Sequence, residues 1–478
     1  MTQVTQQNMN RLTSEATELR REIGLGGGMS ILAGIMIGSG IFYIGAIVLE
    51  RSGMSPGLAL LVWLIGGLVT LLSGLCYAEL GAMMPKAGGN YVYLRETYGE
   101  RVAFISGFAN FTLGNSGSIA ALGVAFASAL ATFLPLDPWM QKVVAIVAVV
   151  LLSWINIRGI RNAAWVNNLF MILKLAPIAL ILFAGLFMGE QHPDLLTLPA
   201  EMPSMTTLIS MVGFAVIATL WAYEGWTNLN VVAEEIRDPH RNIPLAMMTS
   251  IIGVTILYVL FNYAIFRVLP FDTIAQMVTS KNYYLGTAAA QATFGQTGLV
   301  IVGLAMVLAM FSSLSGCVMV FPRVYYAMAR DGAFFNSCAK LHPTYRTPVN
   351  AILASSGVAI LLICFRTLSE LTSLVAVVGM VFHGMTFYSV ILLRRKYPTM
   401  ERPYRVWFYP FSVYLIIAIM IGLTINTIIN DWETAALGVI VPVIGWFLYE
   451  RFVRQSVEAR ERELEQSNTA TTTTATQA

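Results

Sequence analysis

The stretch GIMIGSGIF, residues 34–42, interrupts the first long apolar run of this sequence with three glycines and a serine. Glycine is a poor helix former, and a cluster of glycines releases the backbone from its helical hydrogen-bond ladder. The stretch LWAYEGW, residues 220–226, interrupts the sixth apolar run with Glu224 and Gly225. We therefore predict that the first and sixth helices are broken near their middles.

The apolar runs recur along nearly the whole chain of 478 residues, which is 56% hydrophobic and 12% charged. About 20 predominantly apolar residues suffice to cross the hydrocarbon core of a bilayer. We predict an all-α integral membrane protein with about twelve transmembrane helices. The predicted spans are Met29–Leu49, Gly57–Met84, Val102–Phe133, Met140–Ile157, Ala163–Met188, Thr206–Val232, Pro244–Val268, Gly298–Ala327, Val349–Phe365, Leu368–Leu393, Val406–Ile428 and Trp432–Tyr449.

The two broken helices are five helices apart, so they occupy equivalent positions in a 5+5 inverted repeat, in which discontinuous helices meet at the bilayer midplane. The repeats would span about 24–189 and 205–393 and together form a helical core, 24–393. The last two helices would occupy 394–454. A polar segment, 1–23, would precede the core, and a tail, 455–478, with a disordered end would follow it.

The distribution of lysine and arginine predicts the orientation, because short translocated loops are poor in both. With both termini in the cytoplasm, the outer loops hold five of the 29 basic residues, namely Arg51, Lys142, Arg267, Lys281 and Arg366. The formal net charge of +3 and the absence of a basic patch argue against a nucleic-acid partner. We find no enzyme motif and predict no cofactor and no metal site. Three cysteines inside apolar runs, Cys76, Cys317 and Cys364, are predicted to be buried free thiols.

The break in the first helix predicts a binding site for a zwitterion. Unpaired N–H groups around Gly38, Ser39 and Gly40 would face a carboxylate at the positive end of a half-helix. Free carbonyls at Ile35–Ile37 would accept hydrogen bonds from an ammonium group. The alternative is that these glycines only allow close helix packing.

Two charged residues fall within predicted spans, where an ionised group needs water or a partner. Glu224 would face a cavity and contact the substrate or titrate during transport; the alternative is a fixed hydrogen bond that holds the break open. The Lys174 ammonium would take the place of a bound cation, or else extend towards the membrane surface.

Several uncharged side chains are weaker candidates. Trp221 lies beside the second break and would close over a ligand, unless it is ordinary packing. Polar side chains in the third and eighth helices would line a pocket or only hydrogen-bond between helices; these are Asn115, Ser116, Ser312 and Ser313. We interpret His383 as a satisfied interhelical residue.

These motifs resemble the L-type amino acid transporter family of the amino acid-polyamine-organocation superfamily. The resemblance rests on GIMIGSGIF, on CYAELGAMMPKAGGNYVYLRETYG at 76–99, on LWAYEGWTNLN at 220–230 and on AEEIRDPHRNIPLAM at 233–247. It implies the LeuT-type fold and sodium-independent exchange of amino acids by alternating access in a cell membrane.

The resemblance also implies roles for individual residues. The backbone at Ile37, Gly38, Ser39, Gly40 and Ile41 would bind the carboxylate and ammonium groups of the substrate. The second break would line the same site through Trp221, the gating aromatic, and through Ala222, Tyr223, Glu224 and Gly225. Lys174 matches the lysine whose ammonium stands in for the sodium ion of related symporters.

Two departures from the family pattern affect partner and substrate. Eukaryotic members pair with a heavy subunit through a cysteine between the third and fourth helices, whereas LPLDPWMQK, residues 134–142, has none. We therefore expect a bacterial-type member without a disulfide-linked heavy subunit. An acidic residue at Glu224 resembles the branch that accepts cationic as well as neutral amino acids. Proton-coupled symport and an amino-acid-binding membrane sensor are the alternative functions.

Overall fold

A computed structural model of the chain describes residues 9, 12–14, 17–38, 40–131, 133–196, 204–280, 284–430, 432–459 and 462. Ser39, most of the segment before residue 17 and nearly all of the C-terminal tail beyond residue 459 lie outside this part of the chain. Within it the protein is helical, and the single β-type pairing is an isolated parallel bridge between Ile23 and Ile236. The prediction of an all-α fold is confirmed for these residues.

The helices follow one another with short connections. Their bounds are α1 Leu25–Met36, α2 Gly40–Arg51, α3 Pro56–Met83, α4 Asn90–Tyr98, α5 Glu100–Ala109, α6 Asn115–Leu130, α7 Pro138–Ile157, α8 Ile160–Phe183, α9 Met205–Ala222, α10 Asn228–Val231, α11 Pro239–Val268, α12 Phe271–Thr279, α13 Leu285–Val320, α14 Pro322–Arg330, α15 Val349–Phe365, α16 Leu368–Lys396, α17 Phe411–Asn430 and α18 Trp432–Leu448. A π-helical turn, Asn110–Gly114, joins α5 to α6.

By length and apolar composition, eight helical segments among the described residues qualify as membrane spans. Three shorter apolar helices accompany them, at Leu25–Met36, Val349–Phe365 and Phe411–Ile425. Large apolar side chains such as Leu64, Trp154 and Phe447 remain exposed on the outer surface. Such a surface suits hydrocarbon, because the helices satisfy their own backbone hydrogen bonds.

Both predicted breaks are present. Helix α1 ends at Met36 and α2 begins at Gly40, while α9 ends at Ala222 and α10 begins only at Asn228. Gly225, in the second break, has a φ of 117°, which a residue with a side chain rarely adopts. The interruptions predicted at residues 34–42 and 220–226 therefore divide both helices in the folded chain.

Some predicted boundaries were wrong. The eighth span was predicted to begin at Gly298, but α13 starts at Leu285 and continues through a kink at Gly295, because its alanine-rich first part favours helix without being strongly apolar. The eleventh was predicted from Val406, but α17 starts at Phe411, directly after Pro410. The short helices α4 and α12 were not predicted. Cys364 was predicted to be buried but is exposed, since an apolar run does not reveal which face meets lipid.

Ion pairs gather at one end of the bundle, here called the charged face. Its members are Glu79, Arg95, Glu235, Arg323, Asp331 and Arg394. Arg323 Nε lies 2.8 Å from Glu235 Oε1, and both side chains are almost completely buried. Arg394 Nη2 lies 2.6 Å from Glu79 Oε2. These pairs join helices that are distant in sequence, and breaking such a buried pair is strongly destabilising.

The chain before α1 packs on the charged face. Thr17 Oγ1 donates a hydrogen bond to Glu234 Oε2 at 3.0 Å, and Arg21 Nη1 donates to the Ile236 carbonyl at 2.6 Å. Ile23 forms the bridge with Ile236. This segment therefore covers the connection that follows the second break.

Candidate functional site

The carbonyl end of α1 is held by side chains from two other helices. The last carbonyls of a helix have no partner within it. Lys174 Nζ, on α8, donates to the Gly34 carbonyl at 2.5 Å and to the Ile37 carbonyl at 2.6 Å. Ser313 Oγ, on α13, lies 3.2 Å from the carbonyls of Gly34 and Ile35. A buried ammonium group thus sits where the first helix breaks.

A residue that the sequence analysis did not select connects the two breaks. Tyr258 on α11 is fully buried, and its hydroxyl lies 2.7 Å from the Met36 carbonyl and 2.9 Å from the Ala222 carbonyl. Met36 ends α1 and Ala222 ends α9, so one phenol hydroxyl lies within hydrogen-bond distance of the last carbonyl groups of both broken helices. No local pattern around Tyr258 in the sequence signals this contact.

The two breaks also touch each other directly. A Cβ atom built on Gly40 would lie 3.0 Å from Ala222 Cβ and 3.1 Å from Ala222 Cα. A Cβ atom built on Gly225 would lie 2.7 Å from Ile35 Cγ2. These glycines let the interrupted backbones approach more closely than residues with side chains allow.

A cavity of about 1040 Å³ adjoins both breaks. It extends along α5 and α6 from Ser106 to Ser128, so it follows the bundle axis rather than forming a pit at one end. The predicted residues that line it are Gly38, Gly40, Asn115, Trp221, Ala222, Glu224, Gly225 and Ser313. Most of the predicted site residues thus line the same cavity.

Other predicted residues lie away from the cavity wall. Ile37 and Ile41 are buried in the apolar core, although the Ile37 carbonyl accepts from Lys174. Tyr223 donates its hydroxyl proton to the Trp63 carbonyl at 3.0 Å. Ser116 and Ser312 are fully buried within the bundle. Ser39 lies outside the described residues.

Glu224 is the acidic side chain of the cavity wall. Its side chain is exposed to the cavity although the residue lies deep in the bundle. Among the described residues no side chain pairs with its carboxylate, in contrast to Glu79 and Glu235 at the charged face. The carboxylate is therefore available to a ligand or to a proton.

A polar cluster on the cavity wall was also missed. It consists of Tyr77 on α3, Asn90 on α4 and His383 on α16, and all three line the cavity. Of these, only His383 was considered in the sequence analysis. An isolated histidine in an apolar run does not reveal its hydrogen-bond partner. Among the described residues there is no group of three or more His, Cys, Asp or Glu side chains that could hold a metal ion.

Comparison with known proteins identifies the relatives of this chain. The family described as amino acid permease matches residues 28–447. The chain is 34% identical to the serine/threonine exchanger SteT of Bacillus subtilis (strain 168), over 91% of this chain and 98% of that protein. It is 30% identical to Asc-type amino acid transporter 1 of Homo sapiens, over 90% of this chain and 82% of that protein.

A further relative is b(0,+)-type amino acid transporter 1 of Mus musculus, which is 28% identical over 91% of this chain and 89% of that protein. These relatives are transporters rather than enzymes, and their similarity covers both broken helices and the helices packed around them. The chain therefore belongs to the amino acid permease family, as a multi-pass membrane protein of the L-type amino acid transporters, and it transports amino acids.

Proposed function

We propose that this protein is a sodium-independent amino acid exchanger working by alternating access. The single observation that carries the proposal is the position of Lys174 Nζ, 2.5 Å and 2.6 Å from two carbonyls at the first break. A metal cation would need such oxygen ligands at this place. An ammonium group fixed to the chain supplies the positive charge there, so no sodium ion is required.

The substrate binds between the two breaks in this proposal. Its carboxylate faces the N–H groups that open α2 from Gly40, where the helix dipole favours an anion. The predicted Gly38 N–H instead donates to the Met36 carbonyl at 2.8 Å. The ammonium group of the substrate faces the carbonyl end of α1, where the Ile35 and Ile37 oxygens can each accept a second hydrogen bond beside those from Ser313 and Lys174. Trp221, half-buried at the cavity wall, closes over the bound amino acid.

The matching breaks support a LeuT-type arrangement of twelve spans, with inverted repeats at about 24–189 and 205–393. The helices of 394–454 would lie outside this core. We infer that the charged face is cytoplasmic, which places both termini, 1–23 and 455–478, on that side. The basic side chains concentrated there fit the rule that retained loops are rich in lysine and arginine.

Neutral amino acids are the proposed main substrates, and the names of the serine/threonine exchanger and the Asc-type transporter support this class. The unpaired Glu224 carboxylate supports cationic amino acids as additional substrates, because it can pair with a basic side chain. The stretch 134–142 has no cysteine, so we propose that no disulfide-linked heavy subunit is needed.

Counterflow in proteoliposomes tests exchange against the alternative. Uptake of a labelled amino acid should require unlabelled amino acid inside the vesicles, and it should be equal in sodium and in choline buffers. Glu224, a cavity carboxylate with which no described side chain pairs, favours proton-coupled symport as a second candidate. Uptake into empty vesicles driven by an acidic exterior would support symport, and binding without any uptake would support a sensor.

A further inference from the structure

The cavity wall carries a hydrogen-bonded group that the proposed exchange does not use. The Tyr77 hydroxyl oxygen lies 2.7 Å from His383 Nδ1 and 2.8 Å from Asn90 Oδ1. Thr386, one turn along α16 from His383, also contacts Asn90 Oδ1 with its hydroxyl. Residues from α3, α4 and α16 therefore meet at one point beside the cavity.

The directions of these hydrogen bonds follow from the chemistry of the groups. An amide oxygen only accepts, so the single Tyr77 proton is directed to Asn90 Oδ1. The Tyr77 oxygen must then accept from His383, which assigns the imidazole proton to Nδ1. In a neutral imidazole the other nitrogen, Nε2, is then an acceptor with a free lone pair.

The half-buried His383 lines the cavity. In the described residues nothing donates a hydrogen bond to Nε2, whereas Nδ1 is satisfied by Tyr77. Gly379, one turn earlier in α16, also lines the cavity, and a Cβ atom built there would lie 3.5 Å from Nε2. The glycine thus leaves uncovered the side of the ring that carries Nε2.

His383 lies next to the second break. Its ring centroid is 5.6 Å from that of Trp226 and 5.8 Å from that of Tyr77, so aromatic neighbours hold the imidazole in one orientation. Trp226 follows Glu224 and Gly225 directly in the chain. An amino acid bound at the breaks therefore extends its side chain into the part of the cavity that His383 borders.

We infer that His383 Nε2 accepts a hydrogen bond from the substrate side chain and so selects hydroxyl-bearing amino acids, serine and threonine, over apolar ones of the same size. This inference rests on the proposed transport function and deepens it. Glu224 would select by charge, whereas His383 would select uncharged hydrogen-bond donors. Tyr77 is a positioning residue that fixes the tautomer.

The test compares two isosteric substrates, threonine and valine, as competitors of labelled alanine uptake into proteoliposomes. An uncharged hydrogen bond contributes about 0.5 to 1.5 kcal/mol, so the unmodified protein should prefer threonine about twofold to tenfold. His383→Phe should bring the ratio close to one. His383→Gln should retain part of the preference, because its amide oxygen can accept the same bond. His192→Phe, at an exposed loop position, should leave the ratio unchanged.

A second variant tests the same atom without removing the histidine. Gly379→Ala adds one methyl group beside Nε2 and should lower the threonine-to-valine ratio while valine competes as before. Equal competition by threonine and valine in the unmodified protein, or an unchanged ratio in both His383→Phe and Gly379→Ala, would overturn this inference alone. Absence of uptake of any amino acid by the unmodified protein would overturn the proposed function as well.

Discussion

The ammonium nitrogen of Lys174 lies 2.5 Å from the carbonyl oxygen of Gly34, which joins the fifth predicted span to the end of the first half-helix. Lys174 is fully buried. A buried ammonium is costly without acceptors, and the carbonyls freed by the helix break supply them. The break and the lysine therefore stabilise each other, together with Ser313, whose hydroxyl also contacts the Gly34 carbonyl.

Lys174→Met keeps the length of the side chain and removes its charge. We expect uptake to fall about 10-fold to 100-fold, because hydrogen bonds to charged groups contribute about 1.5 to 3 kcal/mol. Counterflow of labelled alanine measures the effect. Lys142→Met is the matched control, since Lys142 also donates to a carbonyl, that of Cys364, but at the exposed surface. Unimpaired counterflow by Lys174→Met would contradict a role for the ammonium.

Glu224→Gln removes the unpaired negative charge of the cavity. Competition by lysine and arginine should weaken about tenfold, because each loses a charge-assisted contact, whereas neutral competitors should change by less than about threefold. A competition series against labelled alanine gives both values in one experiment. Glu190→Gln alters an exposed carboxylate and should change neither. Equal losses for cationic and neutral substrates would make Glu224 a structural residue.

Gly40→Val places a branched side chain where the two breaks meet. The added Cβ would lie 3.0 Å from Ala222 Cβ, so the helices must separate, and the side chain would also obstruct the approach of a carboxylate to the backbone. We expect no measurable binding of labelled amino acid to the purified protein. Gly26→Val serves as the control in the same helical region, because its Cβ would meet nothing within 4 Å. Wild-type affinity in Gly40→Val would exclude the helix-end site.

The breaks could be predicted because their signals are local. Glycines at 38 and 40 and a carboxylate at 224 interrupt apolar runs, and interruption is visible without any knowledge of packing. Lys174 was found for the same reason, as a charge inside an apolar run. In the structure it lies against the Gly34 carbonyl, and its role in place of a bound cation stays a prediction.

The remaining contacts depend on which helix faces meet, and one sequence does not contain that information. Tyr77 and His383 are 306 residues apart, and the sequence around either residue does not indicate that they are in contact. Tyr223 was expected at the site from the family resemblance, yet neighbours in a turn point in different directions, and its hydroxyl donates to the Trp63 carbonyl instead. Four of the five predicted residues at 221–225 thus line the cavity, and Tyr223 does not.

Tyr258→Phe removes the hydroxyl group that contacts the last carbonyl groups of both broken helices. Its hydroxyl lies 2.7 Å from the Met36 carbonyl and 2.9 Å from the Ala222 carbonyl, in a fully buried position where water cannot replace it. The Met36 carbonyl keeps the Gly38 N–H as a donor at 2.8 Å, but the Ala222 carbonyl loses the donor that Tyr258 supplies. Leaving a buried carbonyl without its donor costs about 1 to 3 kcal/mol, so the melting temperature of the purified protein should fall. Uptake should fall as well, since the relative position of α1 and α9 shapes the proposed site. Tyr263→Phe, a half-buried position on the same helix, is the control and should preserve both melting temperature and uptake. If Tyr258→Phe melts and transports like the unmodified protein, then packing of Gly40 against Ala222 holds the breaks together without the shared hydroxyl.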